Sequence, residues 1–157
     1  MNSEKLANKL KKRSPTIQKE ICKVLDSICQ SLDNIYLIND GGCCWIAYCI
    51  CKLLYNSGFR VDLALVNRLH EINIGNIKDL NESLTHYFIK LGNYTINQGE
   101  DFEDEEYVVL TDVKPNDLLD HYKSQEWCCT YDHRKNYVIY KILKTIYFDK
   151  LNDILKK

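Results

Sequence analysis

Two prolines in 157 residues leave little to interrupt helices or strands, and no Pro/Gly/Ser-rich linker, internal repeat or low-complexity block is present. Nothing marks a domain boundary. A single domain over 1–157 is expected, and 45% hydrophobic with 11% aromatic residues supplies ample core material. The chain also lacks an excess of charge of either sign. Its 21 basic and 22 acidic residues give a net charge of −1, which provides no general attraction to nucleic acid or anionic lipid. The basic segment from Lys9 to Arg13 has no interleaved aromatics and reads as an ordinary solvated helix face.

Long apolar runs are missing too. The most apolar stretch, Cys43 to Leu54, is interrupted by Lys52 and falls short of the roughly 18 residues that span a bilayer. The opening segment MNSEKLANKLKKRS has no apolar signal-peptide core. A cytoplasmic protein with no membrane or nucleic-acid partner is therefore expected.

What the chain does have is cysteine, eight residues of it. Without a secretory signal these read as thiols in a reducing compartment rather than as a disulfide framework. His121, Cys128, Cys129 and His133 invite a zinc reading, but adjacent cysteines depart from the spaced pairs of zinc motifs. No metal and no cofactor is expected. His70, His121 and His133 are read as surface or structural residues.

Ser14-Pro15 is a plausible N-cap and first helical position, after which Ile17, Ile21, Val24, Leu25, Ile28 and Leu32 recur at helical spacing. The chain turns through Asn39-Asp40-Gly41-Gly42 into a second helix with Cys43, Ile46, Ala47, Ile50, Leu53 and Leu54 on one face, stopped by Gly58. Phe59, Val61, Leu63 and Leu65 alternate with Arg60, Asp62 and Ala64, a strand with one buried face. Residues 67 to 84 read as a long loop. Thr85 to Leu91 and Tyr94 to Asn97 flank Gly92-Asn93 as a hairpin, Tyr107 to Leu110 is a short strand, and the acidic stretch Glu100 to Glu106 is a solvated loop. A short helix after Pro115 and a long one from about Arg134 complete an α+β fold, with helices packed against a small antiparallel sheet.

A thiol is a useful nucleophile when its thiolate is stabilised, and a helix N-terminus is one means of doing so. Cys43 and Cys44 sit at such an end. Gly41 and Gly42 permit a tight turn, and the amides of the first turn can bind an oxyanion, with Asn39 adding a side-chain donor. Cys43 lies on the sheet-facing stripe with Ala47, Ile50 and Leu54, whereas Cys44 aligns with Tyr48, Cys51 and Tyr55 on a more peripheral face. Cys43 is the favoured nucleophile. In the hairpin, residue 91 pairs with 94, 88 with 97 and 86 with 99, so His86 and Asn97 become diagonal neighbours. A base and an orienting residue for the thiol then converge.

At these residues the sequence resembles the papain-like and transglutaminase-like superfamily. GGCCWIAYCICKLLYNSGFRVDLALV is similar to its Gly-x-Cys-x-x-x-Ala helix and first strand, and HYFIKLGNYTIN to its His-bearing strand, turn and strand ending in Asp or Asn. The match covers about Asn39 to Gly99 and resembles the small versions found in phage and bacterial genomes. It implies a papain-like/transglutaminase-like core, Cys43 as nucleophile, His86 as base and Asn97 in the third position. Cys44-Trp45 also resembles the papain Cys-Trp pair, which makes Cys44 the alternative nucleophile. No glutamine stands at the usual papain oxyanion distance. The expected activity is thiol-dependent hydrolysis or acyl transfer at a peptide or isopeptide bond in a peptide or protein substrate, the acidic loop guiding a basic one. The alternative is an inactive member of the fold acting as a binding or inhibitory module.

Overall fold

A computed structural model of the chain describes residues 3, 11–39, 42–66, 86–124 and 136–156. Pro15, which has no N–H to leave unpaired, opens helix α1 (Pro15–Tyr36) at its first turn. Ser14 stands at the N-cap as expected, but its hydroxyl makes no capping bond; its backbone engages instead, the carbonyl accepting the Gln18 N–H and the N–H donating to the Lys11 carbonyl. The anticipated stripe of Ile21, Leu25, Ile28 and Leu32 is buried, joined by Cys22 and Cys29. The helix ends where Leu37 adopts a left-handed conformation (φ 55°) and donates its N–H to the Asp33 carbonyl.

Helix α2 (Cys43–Asn56) is the centre of the molecule. Residues on almost every side of it are buried, from Cys43 and Cys44 through Leu53 and Leu54. The expectation of a peripheral face through Cys44, Tyr48, Cys51 and Tyr55 is corrected for the first three, which are buried; only Tyr55, in the last turn, is exposed. The small cysteines account for this, since they allow neighbours to close over a face that larger polar residues would have kept in water. Lys52 stays compatible with the core by lying over the rings of Tyr140 (5.1 Å) and Tyr48 (5.9 Å). Each fully buried Ile or Leu of this helix contributes about 1.5–3 kcal/mol.

The sheet is antiparallel throughout, in the order β3-β2-β1-β4, with β1 Asp62–Val66, β2 His86–Leu91, β3 Tyr94–Ile96 and β4 Tyr107–Leu110. The class is α+β. Helix α2 packs on β2, α1 on β3, and α3 (Pro115–Ser124) on α2; α4 (Asn136–Lys156) lies along α1. The helix-covered face carries Leu63, Leu65, Tyr87, Ile89 and Leu91 into the main core. The expectation of a single buried face on β1 is also corrected. Ala64 and Val66 are fully buried on the opposite face, where they meet Phe88 and, from the acidic loop, Phe102. That loop is not wholly solvated: its 3-10 turn (Glu100–Phe102) turns one aromatic ring inward.

The hairpin forms in the expected register, Leu91 opposite Tyr94 and Ile89 opposite Ile96, around Gly92 at φ 61°. The further pairing of 88 with 97 does not form, because Asn97 leaves the extended conformation (φ 65°). His121 is buried rather than on the surface, its Nε2 2.9 Å from the Tyr87 hydroxyl. The expected loop at 67–84, together with His70, His133, Cys128 and Cys129, lies outside the described residues. Among those described, no helix is long and apolar enough to cross a membrane.

Burial of His121 lowers its pKa from the ordinary 6.5 to about 4, because the charged ring would lose its hydration. The unfolded chain therefore binds a proton that the folded one refuses. The stability this neutral histidine allows is complete above about pH 6.5 and is lost as pH falls towards 4. Denaturant unfolding should show about 2 kcal/mol less stability at pH 5 than at pH 8 from this residue alone. In His121→Gln the slope between those pH values should flatten, and an undiminished slope would assign the acid sensitivity elsewhere.

Candidate functional site

The first turn of α2 brings Cys43 to the start of β2. Its side chain is 5% exposed. Burial raises the thiol pKa above 9.0, and the backbone N–H groups of Tyr87, Cys44 and Cys43 itself, close to the sulfur, draw it part of the way back. The sulfur is thus held against the residue next to His86. Among the described residues no hydrogen bond links it to the imidazole, and Cys44, fully buried, is no better exposed.

His86 opens β2 and projects to the Phe88 side of the sheet. Its ring stacks on Phe102 at 4.4 Å and 7°, and more distantly on Phe88 at 5.9 Å. Its Nε2 lies 2.8 Å from the backbone oxygen of Asn97. A carbonyl oxygen can only accept, so Nε2 carries the proton and Nδ1 is the basic nitrogen of the neutral ring. Burial lowers the His86 pKa, opposed by the Asn97 and Gln98 backbones and by the charge of Asp33. Thiol and imidazole are both pushed towards their neutral forms.

Asn97 reaches His86 through its main chain and not through its amide. The amide is committed elsewhere. Asn97 Nδ2 donates to Asn39 Oδ1 at 3.0 Å, and Asn39 Nδ2 donates back to Asn97 Oδ1 at 3.1 Å. Asn39, expected as an oxyanion donor, commits one of its two amide N–H groups to this reciprocal pair. The structure thus brings His86, Asn97 and Asn39 into one connected set, with Cys43 beside it through the backbone of Tyr87.

Two further residues belong to this set and were not foreseen. Asp26 Oδ1 accepts the Asn97 N–H at 2.6 Å, and Asp33 Oδ1 accepts the Asn39 N–H at 2.9 Å. Both come from α1. Their sequence signal is a pair of carboxylates seven residues apart on the polar side of an amphipathic helix, which does not differ from an ordinary solvated face. Phe102, the ring under the imidazole, was masked by its acidic neighbours.

These elements enclose a groove of about 620 Å³ with His86 and Asn97 in its wall. Five carboxylates line it: Asp26, Asp33, Glu100, Asp101 and Glu103. Among the described residues no lysine or arginine does, and Cys43 lies outside the wall. Burial raises the Asp26 pKa, with the Asn97 N–H opposing. No group of three His, Cys, Asp or Glu side chains among the described residues is arranged to hold a metal ion.

Comparison with known proteins yields no matching family model, no matching curated protein and no matching solved structure.

The Asn39–Asn97 pair makes a direct prediction. Asn39→Ala removes two hydrogen bonds at once and leaves the 92%-buried Asn97 with an unpaired amide, which costs about 1–3 kcal/mol. Urea unfolding should register that loss, and an unchanged midpoint would show that the pair contributes nothing.

Proposed function

We propose that this chain is a thiol-dependent amide hydrolase or acyl transferase on a papain-like or transglutaminase-like plan, with Cys43 as nucleophile, His86 as base and Asn97 as the residue that fixes the base. The observation that carries the reading is the meeting of three distant segments: the start of a helix bearing Cys43, the start of a strand bearing His86, and the end of the hairpin, whose carbonyl sets the imidazole tautomer. In the reaction, the Cys43 proton passes to His86 Nδ1 as the sulfur attacks the amide carbonyl. Collapse of the tetrahedral intermediate breaks the C–N bond, and the departing nitrogen takes the proton from Nδ1. Water or an amine then attacks the thioester with the same base, releasing acid or a new amide and restoring the thiol.

A resting state without a hydrogen bond between sulfur and ring is compatible with this chemistry, because catalytic hydrogen bonds commonly tighten only when substrate is bound. The groove's carboxylates and its lack of described cations favour a substrate carrying Lys or Arg near the scissile bond. A second reading rests on a specific observation. Cys43 is nearly inaccessible, lies outside the groove wall and is not hydrogen-bonded to His86, an arrangement that suits an inactive member of the fold serving as a binding or inhibitory module.

An electrophilic thiol probe with mass-spectrometric mapping separates the two. Under the catalytic reading Cys43 is modified ahead of every other cysteine, Cys44→Ala retains the modification, and His86→Ala slows it by roughly 100-fold. Peptide amides with a basic residue should show a lower KM than neutral ones, the difference shrinking with added salt. Indiscriminate labelling of the accessible thiols, with Cys43 silent, would leave the module.

A further inference from the structure

Asn97 has every polar group it owns engaged. Its N–H goes to Asp26, its carbonyl to the His86 imidazole, and its amide, both ways, to Asn39. Its backbone is left-handed at φ 65°, a conformation that Asn tolerates but that a chain leaving a strand has no reason to choose unaided. A residue in such a state is held by its partners. Two of them trace back to one helix, since Asn39 is itself anchored through its N–H to Asp33. Asp26 and Asp33 are seven residues apart, two turns and roughly 10 Å along α1 on the same side.

From this we propose that α1 acts as a clamp that positions the imidazole: Asp26, with Asp33 as its second point, fixes the backbone turn at Asn97 so that its carbonyl holds His86 Nε2–H and leaves Nδ1 as the basic nitrogen. Towards the imidazole Asp26 is a positioning residue, acting through the backbone of Asn97. Its acceptor oxygen, and not merely its charge, carries the role. The consequence for catalysis rests on the thiol-hydrolase reading; the consequence for the imidazole does not.

The two are separated by using two readouts on the full chain. The first is the ¹⁵N spectrum of the His86 ring, assigned by comparison with His86→Gln, which reports the tautomer without any reference to activity. The native protein should show neutral His86 as a single Nε2–H tautomer. Asp26→Ala should give a tautomer mixture, while Asp26→Asn, which still offers an oxygen to the Asn97 N–H, should keep the native form. Ala is a favourable residue within a helix. Should that variant nevertheless fail to fold, Asp26→Glu keeps the charge but displaces the oxygen by one methylene and should also release the tautomer.

The second readout is the rate of Cys43 modification by the thiol probe. It should fall roughly 10- to 100-fold in Asp26→Ala and recover in Asp26→Asn. An unaltered single tautomer in folded Asp26→Ala or Asp26→Glu would overturn the clamp. A tautomer mixture with no change at Cys43 would uphold the clamp and count against the hydrolase.

Discussion

The left-handed turn at Asn97 is the constraint on which the candidate site depends. It ends β3 after three residues, frees the backbone of β2 beyond Ile89 from pairing with that strand, and turns a carbonyl towards His86. Had the strand continued, residue 97 would have paired opposite 88, leaving its carbonyl in the ladder or towards solvent. The imidazole would then lack a partner that dictates its tautomer. Loop, helix and hairpin all converge on this one residue, which follows directly on the sheet's three-residue strand.

Burial creates a tension at the same place. Desolvation pushes the Cys43 thiol up and the His86 imidazole down, so the resting pair is neutral on both sides. Such a pair has no ionic attraction to hold it together, which fits the missing contact between sulfur and ring. It also leaves the proton on the sulfur, so the proposed attack calls for general-base removal in place of a preformed thiolate. The amides of Tyr87, Cys44 and Cys43 near the sulfur oppose the effect of burial, the direction expected of a site where negative charge is to develop.

The elements with a strong local signal were legible in the sequence. Pro15 and Pro115 mark real helix starts, the stripe from Ile21 to Leu32 is buried, and Gly92 closes the hairpin in the register that the alternation demanded. What escaped was set by tertiary context. Phe102 sits among Glu100, Asp101 and Glu103, and only the cluster of Ala64, Val66 and Phe88 on the second sheet face explains why it turns inward. Cys44 looked peripheral because helical projection shows one sheet and not the neighbours that close over α2 from other sides. His86 and Asn97 do lie together, but not as the diagonal ladder neighbours expected: the linkage runs through a carbonyl, and side-chain arithmetic along a regular ladder has no means of anticipating a φ of 65°.

The two faces of the sheet divide the labour. Odd-numbered residues of β2 commit Tyr87, Ile89 and Leu91 to the helical core, and Tyr87 meets a neutral, buried His121 there. Even-numbered residues carry His86 and Phe88 to the opposite face, where both are buried and His86 also borders the acidic groove. Cys43 belongs to the first side by its helix and meets the second only through the backbone of residue 87. Thiol and imidazole are thus attached to opposite sides of the sheet at the start of β2. The turn at Asn97 ends β3 at Ile96 and offers its carbonyl to the imidazole, so residues 86 to 88 have no β3 partner and His86 takes its orientation from that carbonyl instead of from a ladder neighbour.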